Sequence, residues 1–263
     1  MNIEEALRTA CIDAREARLL LAAAAGFSEA SVLAFPERAL PAETETRFRG
    51  YVERRAKGEP VAYILGRKEF YGLELSVNPA VLIPRPETEL LVELALQRPF
   101  ASVLDLGTGS GAIALALKRN RPKARVVAVE ASAAALVVAR RNAVALGLDM
   151  EFVHGEWLAP MAHERFDLIV SNPPYVAAGD PHLVDLAFEP QGALVSGPEG
   201  LTSIREIART APSHLNPGGW LLLEHGMGQD AAVRQLLVRG GLEEVVSWPD
   251  LAGIPRVSGG KVK

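Results

Sequence analysis

Cysteine is almost missing from this chain: Cys11 is the only one in 263 residues. A single thiol closes no internal disulfide and supplies no metal cage. The five histidines, at 154, 163, 182, 214 and 225, include no helical i, i+4 pair, so no metal is implied. Long apolar runs are also missing. The longest early one, Leu19 to Phe27, is broken by Gly26 and too short to span a bilayer. The opening Met1-Asn2-Ile3-Glu4-Glu5 has no basic segment of the secretory kind. A cytoplasmic protein with no membrane partner is the expectation. Excess positive charge is absent too: 28 Lys and Arg stand against 32 Asp and Glu, a net charge of −4. That balance offers no overall attraction to a phosphate backbone, and no direct nucleic-acid binding is expected. No internal repeat or low-complexity linker is visible.

What is present suits a packed core, since 49% of residues are apolar. Residues 3 to about 25 and 43 to 57 carry apolar side chains at helical spacing, interrupted by Phe35-Pro36 and Pro41. The pattern predicts a small bundle of short helices. Cys11 falls in step with Ile3, Leu7 and Ala14, which predicts a buried thiol. Residues 1 to 80 hold 11 Lys and Arg against 12 Asp and Glu, too balanced for a DNA-reading module. From Glu69 to Val77 aromatic or aliphatic residues alternate with polar ones, as in a β-hairpin. The following Pro84-Arg85-Pro86-Glu87-Thr88 delays regular helix until Glu89.

Beyond this connector, strand and helix patterns alternate. Strands are predicted at 101–106, 125–129, 151–153, 166–170 and 220–224, with helices between them and a terminal strand pair at 243–248 and 256–262. This is the signature of an open, Rossmann-like α/β sheet. Ligands bind such sheets outside the carboxyl ends of the strands.

Three of those ends are informative. The first is Asp105-Leu106-Gly107-Thr108-Gly109-Ser110-Gly111, whose glycines allow positive φ and close approach of a ligand to the backbone. The second is Glu130, 19 residues beyond Gly111, a carboxylate able to accept both hydroxyls of an adenosine ribose. These two features serve NAD and S-adenosylmethionine equally. The third is Asn172-Pro173-Pro174-Tyr175. Proline has no N–H, so this segment presents carbonyl acceptors in a stiff arc, beside the Asn172 amide and the flat Tyr175 ring. Such a receptor suits a planar N–H2 group, whose nitrogen would face whatever the glycine loop holds. Methyl transfer to nitrogen fits this arrangement, and hydride transfer has little use for it.

The stretches "PVAYILGRKEFYGLELSVNPAVLIPRPETELL", "VLDLGTGSGAIALAL", "FDLIVSNPPYV" and "NPGGWLLLEHG" together resemble the PrmC/HemK family. The resemblance runs from about residue 60 to 250. It implies a class I S-adenosylmethionine-dependent methyltransferase fold, Rossmann-like, mostly parallel with an antiparallel terminal strand, preceded by a small helical bundle. It divides the chain into a helical substrate-docking domain (1–68), a hairpin and proline-rich connector (69–88) and a catalytic domain (89–263). The implied reaction moves a methyl group from S-adenosylmethionine to the side-chain nitrogen of the glutamine in the Gly-Gly-Gln motif of class 1 peptide-chain release factors. Gly107, Thr108, Gly109, Ser110 and Gly111 would then carry the methionine end of the cofactor, Glu130 its ribose and Trp157 its adenine. Asn172 would touch cofactor and substrate, while Pro173, Pro174 and Tyr175 complete the glutamine pocket, Asn172, Pro173 and Tyr175 being the catalytic set. Arg85, Glu87 and Thr88 would lie beside the site with no individual role assigned. Two neighbouring readings share the receptor: a glutamine methyltransferase for a large-subunit ribosomal protein, and a DNA adenine-N6 methyltransferase. Departures from the family pattern are Glu130 in place of a frequent Asp, Gln191 in place of a frequent basic residue, and a looser tail at Pro255 to Gly260.

Overall fold

A computed structural model describes all residues from Met1 to Lys263. The chain divides into two compact units, Met1–Arg67 and Lys68–Lys263.

The first unit is helical: α1 (Ile3–Thr9), α2 (Ala14–Ala25), α3 (Glu29–Ala34), α4 (Ala42–Ala56) and α5 (Val61–Leu65). Local capping sets these boundaries. Asn2 and Glu5 form a reciprocal capping box on α1, and the Asp13 carboxylate accepts the backbone N–H groups of Arg15 and Glu16 to start α2. Asp13 therefore restarts the helix, and the register expected from residue 3 through 25 is broken. Cys11 lies in the turn between α1 and α2 and is exposed, not buried. The unit has its own core, built from Ile3, Leu20, Leu21, Val32, Phe48 and Ile64. Arg55 on α4 reaches Glu16 on α2 at 2.7 Å.

The second unit opens with the hairpin β1 (Arg67–Phe70) and β2 (Leu73–Ser76), then α6 (Glu89–Leu96). There follow β3 (Ser102–Leu106), α7 (Ala112–Asn120), β4 (Arg125–Glu130), α8 (Ala133–Leu146), β5 (Glu151–His154) and β6 (Phe166–Ser171). The chain ends with α9 (Thr202–Thr210), β7 (Leu215–Glu224), α10 (Asp230–Arg239), β8 (Glu243–Pro249) and β9 (Pro255–Lys261). β7 begins earlier than its sequence pattern predicts, because Leu215 already pairs with Phe166 across an irregularity in register. The hairpin belongs to this unit. Phe70, Leu73 and Leu75 are buried in the same core as α6 and α7, and the Asn142 amide exchanges hydrogen bonds with both backbone groups of Ser76.

Seven strands form one sheet in the order β5-β4-β3-β6-β7-β9-β8, parallel except for β9, which runs antiparallel to both neighbours. Side chains alternate across it as the two-residue period of a strand requires. Leu168 and Val170 of β6 face the α6 and α7 side, whereas Ile169 faces α9 and α10. β3, β4 and β5 spread to one side, and β6 returns to the other side of β3. The carboxyl ends of β3 and β6 thus flank the point where strand order reverses, where an open α/β sheet leaves a crevice.

Candidate active site

The glycine loop after β3 is held by its own backbone. Gly107 and Thr108 both donate to the Val129 carbonyl, at 2.9 and 3.1 Å. Gly107, Gly109 and Gly111 take φ of +70°, +59° and +87°, a region that favours glycine. Glu130 then clasps the loop. One carboxylate oxygen accepts Gly109 N–H at 2.8 Å and the other accepts Ser132 N–H at 2.9 Å. Each oxygen keeps a further lone pair. The Trp157 ring packs over Gly107, where an added Cβ would stand 3.4 Å from it. Behind the loop Asp105 is buried. Its Oδ2 accepts the Thr108 hydroxyl at 2.6 Å, and its Oδ1 has no partner. Burial, opposed by Thr108 and a backbone N–H, pushes its pKa up to about 7.

The loop after β6 is held by side chains. Ser171 donates to the Leu106 carbonyl at 2.7 Å, tying the two strand ends together. Asn172 Nδ2 donates to Thr88 Oγ1 at 3.1 Å. Tyr175 OH donates to Glu224 Oε1 at 3.4 Å, and the Tyr175 carbonyl accepts from Gln229 Nε2 at 3.0 Å. Burial and the Glu224 charge both raise the pKa of the Tyr175 phenol, so it stays a donor. The proline-rich segment is fixed from the same side: Glu189, itself buried, pairs with Arg85 and accepts Ile83 N–H at 3.0 Å.

Between these loops lies a cleft of about 650 Å³ lined by Gly107, Gly109, Glu130, Trp157, Asn172 and Pro174, among others. A more open hollow of about 800 Å³ lies at the amino ends of β3 and β6, by Ala101 and Asp167, and contains none of these groups. The cleft at the carboxyl ends is the one with chemistry around it. Of the residues singled out in the sequence, Thr108, Ser110, Gly111, Pro173 and Tyr175 do not line it. Thr108 and Ser110 are buried, Gly111 packs on Leu115 and Ala139, and Tyr175 stands behind, against Glu224. His225 is fully buried and bonded to Ser258 at 2.8 Å, away from the cleft lining. Thr88 and Glu224 enter the site without having been assigned a part. The signal for Glu224 was its position, a carboxylate ending an apolar strand at the level of Glu130 and Asn172.

The lining fits an adenosine-bearing methyl donor: bare glycine backbone, a carboxylate with free lone pairs for vicinal hydroxyls, and a flat indole face. The fold agrees. The chain is similar to a 16S rRNA N2 G1207 methyltransferase of T. thermophilus, solved with AdoMet and guanosine (TM-score 0.56, 23% identity, 75% of this chain and 50% of that one). It is also similar to a methyltransferase of Pyrococcus furiosus (TM-score 0.57, 19% identity, 80% and 96%). Fold and site define a class I S-adenosylmethionine-dependent methyltransferase. Residues 86–188 match the family described as Methyltransferase small domain, and residues 2–66 match the PrmC N-terminal domain. The chain is 48% identical over 267 residues to the release factor glutamine methyltransferase of Neisseria gonorrhoeae, covering 99% of this chain and 98% of that one. It is 51% identical over 263 residues to that of Xylella fastidiosa strain Temecula1, covering 97% and 96%. The chain belongs to the release factor glutamine methyltransferase family.

Proposed function

We propose that the protein methylates the side-chain nitrogen (N5) of the glutamine in the Gly-Gly-Gln motif of class 1 peptide-chain release factors. The observation that carries this reading is the Asn172 hydrogen bond to Thr88. With Nδ2 committed there, Oδ1 is the free end of the amide, and the next two residues, both prolines, have no N–H to offer. The edge of the cleft therefore presents acceptors to an N–H2 group.

S-adenosylmethionine supplies an electrophilic sulfonium methyl when bound. Glu130 would accept the ribose hydroxyls, Trp157 would cover the adenine, and the backbone of Gly107 to Gly111 would take the methionine end, with Thr108, Ser110 and Gly111 shaping that backbone. An amide nitrogen is a poor nucleophile because its electron pair is delocalised into the carbonyl. Asn172 Oδ1, with the Pro173 carbonyl outside the cleft lining, would accept its two N–H bonds, holding the nitrogen in line. As the N–CH3 bond forms the methyl–sulfur bond breaks, S-adenosylhomocysteine leaves, and the cationic amide loses one proton to water. Pro174 walls the pocket and Tyr175 supports it from behind. The helical unit Met1–Arg67 serves as the docking domain for the protein acceptor. No helix is long and apolar enough to cross a membrane. The release factor is a cytoplasmic partner, and no direct nucleic-acid contact is part of the reaction.

Peptide mass mapping after incubation with S-adenosylmethionine and an unmodified release factor tests the reading. One added methyl on the Gly-Gly-Gln glutamine, lost when that glutamine is replaced, is expected. A folded, cofactor-binding protein that leaves the release factor untouched would shift the acceptor to a large-subunit ribosomal protein first and to DNA adenine second.

A further inference from the structure

The loop after β6 is tied to the proline-rich segment at two places, Asn172 near its start and Glu189 farther along. Between them the chain leaves the cleft and turns back: Val176 pairs with Val195 in an isolated parallel bridge, with Val176 N–H on the Leu194 carbonyl at 2.8 Å and Ser196 N–H on the Val176 carbonyl at 2.9 Å. Glu189 lies within this excursion and is only 6% exposed. One of its oxygens accepts Ile83 N–H at 3.0 Å and the other accepts the Arg85 guanidinium. Arg85 is extended, with φ −98° and ψ 145°, as a residue before proline favours. The turn Pro86–Thr88 that follows is closed by Thr88 N–H on the Arg85 carbonyl at 3.1 Å. At its far end Thr88 Oγ1 accepts Asn172 Nδ2 at 3.1 Å. A continuous path of hydrogen bonds thus runs from Glu189 through one tight turn to the Asn172 amide.

We infer that Glu189, through Arg85, is a positioning residue for the acceptor nitrogen: it fixes the turn whose far end, Thr88, orients the Asn172 amide. The inference rests on the role proposed for Asn172. Taking a carboxylate out of water is costly, and an apolar side chain of similar size would fill the same space without that cost. What the carboxylate adds is direction, because its two oxygens take two donors of one short segment. Pro84 and Pro86 have no N–H and hold their own φ, so this segment has few ways to shift once Ile83 and Arg85 are held. Released from Glu189, the turn keeps its internal bond and moves as a unit, and Thr88 carries the Asn172 amide out of line. The carboxylate on the cofactor side, Glu130, is held separately by Gly109 and Ser132, so cofactor binding is spared.

The test is release-factor methylation by the full chain at saturating S-adenosylmethionine, with cofactor Kd measured calorimetrically on each variant. Glu189→Ala, Arg85→Met and Thr88→Val should each lower kcat about tenfold with Kd within about threefold. Arg85→Lys keeps a cationic donor and should bring kcat back to within about threefold of wild type. Coupling separates positioning from general loosening. In a Thr88→Val background, where Asn172 has already lost its acceptor, Glu189→Ala should cost no more than about a further twofold, whereas independent damage to the fold would multiply the two losses. The inference is overturned by wild-type kcat in both Glu189→Ala and Arg85→Met, by Arg85→Lys as poor as Arg85→Met, or by losses that multiply. Should Glu189→Ala fail to fold, Arg85→Met, at a side chain that is 33% exposed, carries the same cycle. Asn172→Ala separates the two levels. If it abolishes transfer while Arg85→Met behaves as wild type, only the positioning path falls; if it leaves turnover intact, the role of Asn172 and the inference fall together. If the wild type methylates no release factor, nuclear magnetic resonance decides: the Asn172 side-chain amide signals should shift on Arg85→Met, and unmoved signals overturn the inference.

Discussion

The loops after β3 and β6 flank one cleft and are built by opposite means. The first is a backbone device: three glycines at positive φ, two N–H groups on a single carbonyl of β4, and one carboxylate, Glu130, bridging loop and helix start. The second removes backbone donors with Pro173 and Pro174 and fixes its shape through Thr88, Glu224, Gln229 and Ser171. A loop made of backbone tolerates loss of one side chain in chemistry and registers it in binding. A loop whose function resides in one oriented amide should do the reverse. Asn172→Ala is the harshest test of that contrast. It should lower kcat by about two to three orders of magnitude, as removal of a charge-stabilising hydrogen bond does, while calorimetric cofactor affinity changes by less than about threefold. Equal losses in both quantities would break the contrast.

A less direct blow to the same loop comes from Gly200. Its φ is +72°, and an added Cβ would lie 2.2 Å from the Tyr175 carbonyl oxygen. Gly200→Ala must therefore push the Tyr175 backbone away, and with it the ring that supports the pocket. A roughly tenfold loss of kcat and about 1–3 kcal/mol of stability, read by denaturant unfolding, are expected. On the glycine side, Glu130→Ala leaves Gly109 and Ser132 N–H groups without their acceptor and removes the carboxylate proposed for the ribose. Cofactor Kd should rise about tenfold, with kcat at saturation within about threefold of wild type.

The parts legible in the sequence are those written in consecutive residues: the strand and helix alternation, and the segments that bring Gly107, Gly109, Glu130, Asn172 and Pro174 to one cleft. Spacing along the chain encodes them directly. Cys11 was misread because apolar period alone does not register a break, and a single side chain, Asp13, caps a new helix there. Thr88 meets Asn172 and Glu224 meets Tyr175 only through the fold, which lays β7 beside β6. Nothing local to either residue announces its partner. Likewise Thr108 and Ser110 look like ligand groups in the motif, yet their side chains turn into the protein once Asp105 and Asn142 are packed beneath them, the first taking the Thr108 hydroxyl and the second the Ser110 carbonyl.

Each loop also has a buried carboxyl behind it, Asp105 and Glu224, and these sharpen the comparison most finely. Each has one oxygen without a partner and a pKa near 7. A carboxyl whose folded-state pKa is raised binds its proton more tightly in the native state. Its unfavourable contribution to stability is absent below about pH 4, grows as pH climbs toward 7, and is constant above that. Glu224→Gln should therefore gain stability over wild type as pH rises from 4 to 7. A weakened contact to Tyr175 offsets part of the gain, leaving about 1 kcal/mol, or roughly 2–4 °C in Tm at pH 8. Asp105→Asn should show a gain of the same sign over the same range. The two differ in what they hold: Asp105 takes the Thr108 hydroxyl within the glycine loop, so Asp105→Asn should register in cofactor Kd, whereas Glu224 takes the Tyr175 hydroxyl, so Glu224→Gln should register in kcat. Matching stability curves with one loss in Kd and the other in kcat would keep the two loops distinct, and equal losses in both quantities for both variants would erase that distinction.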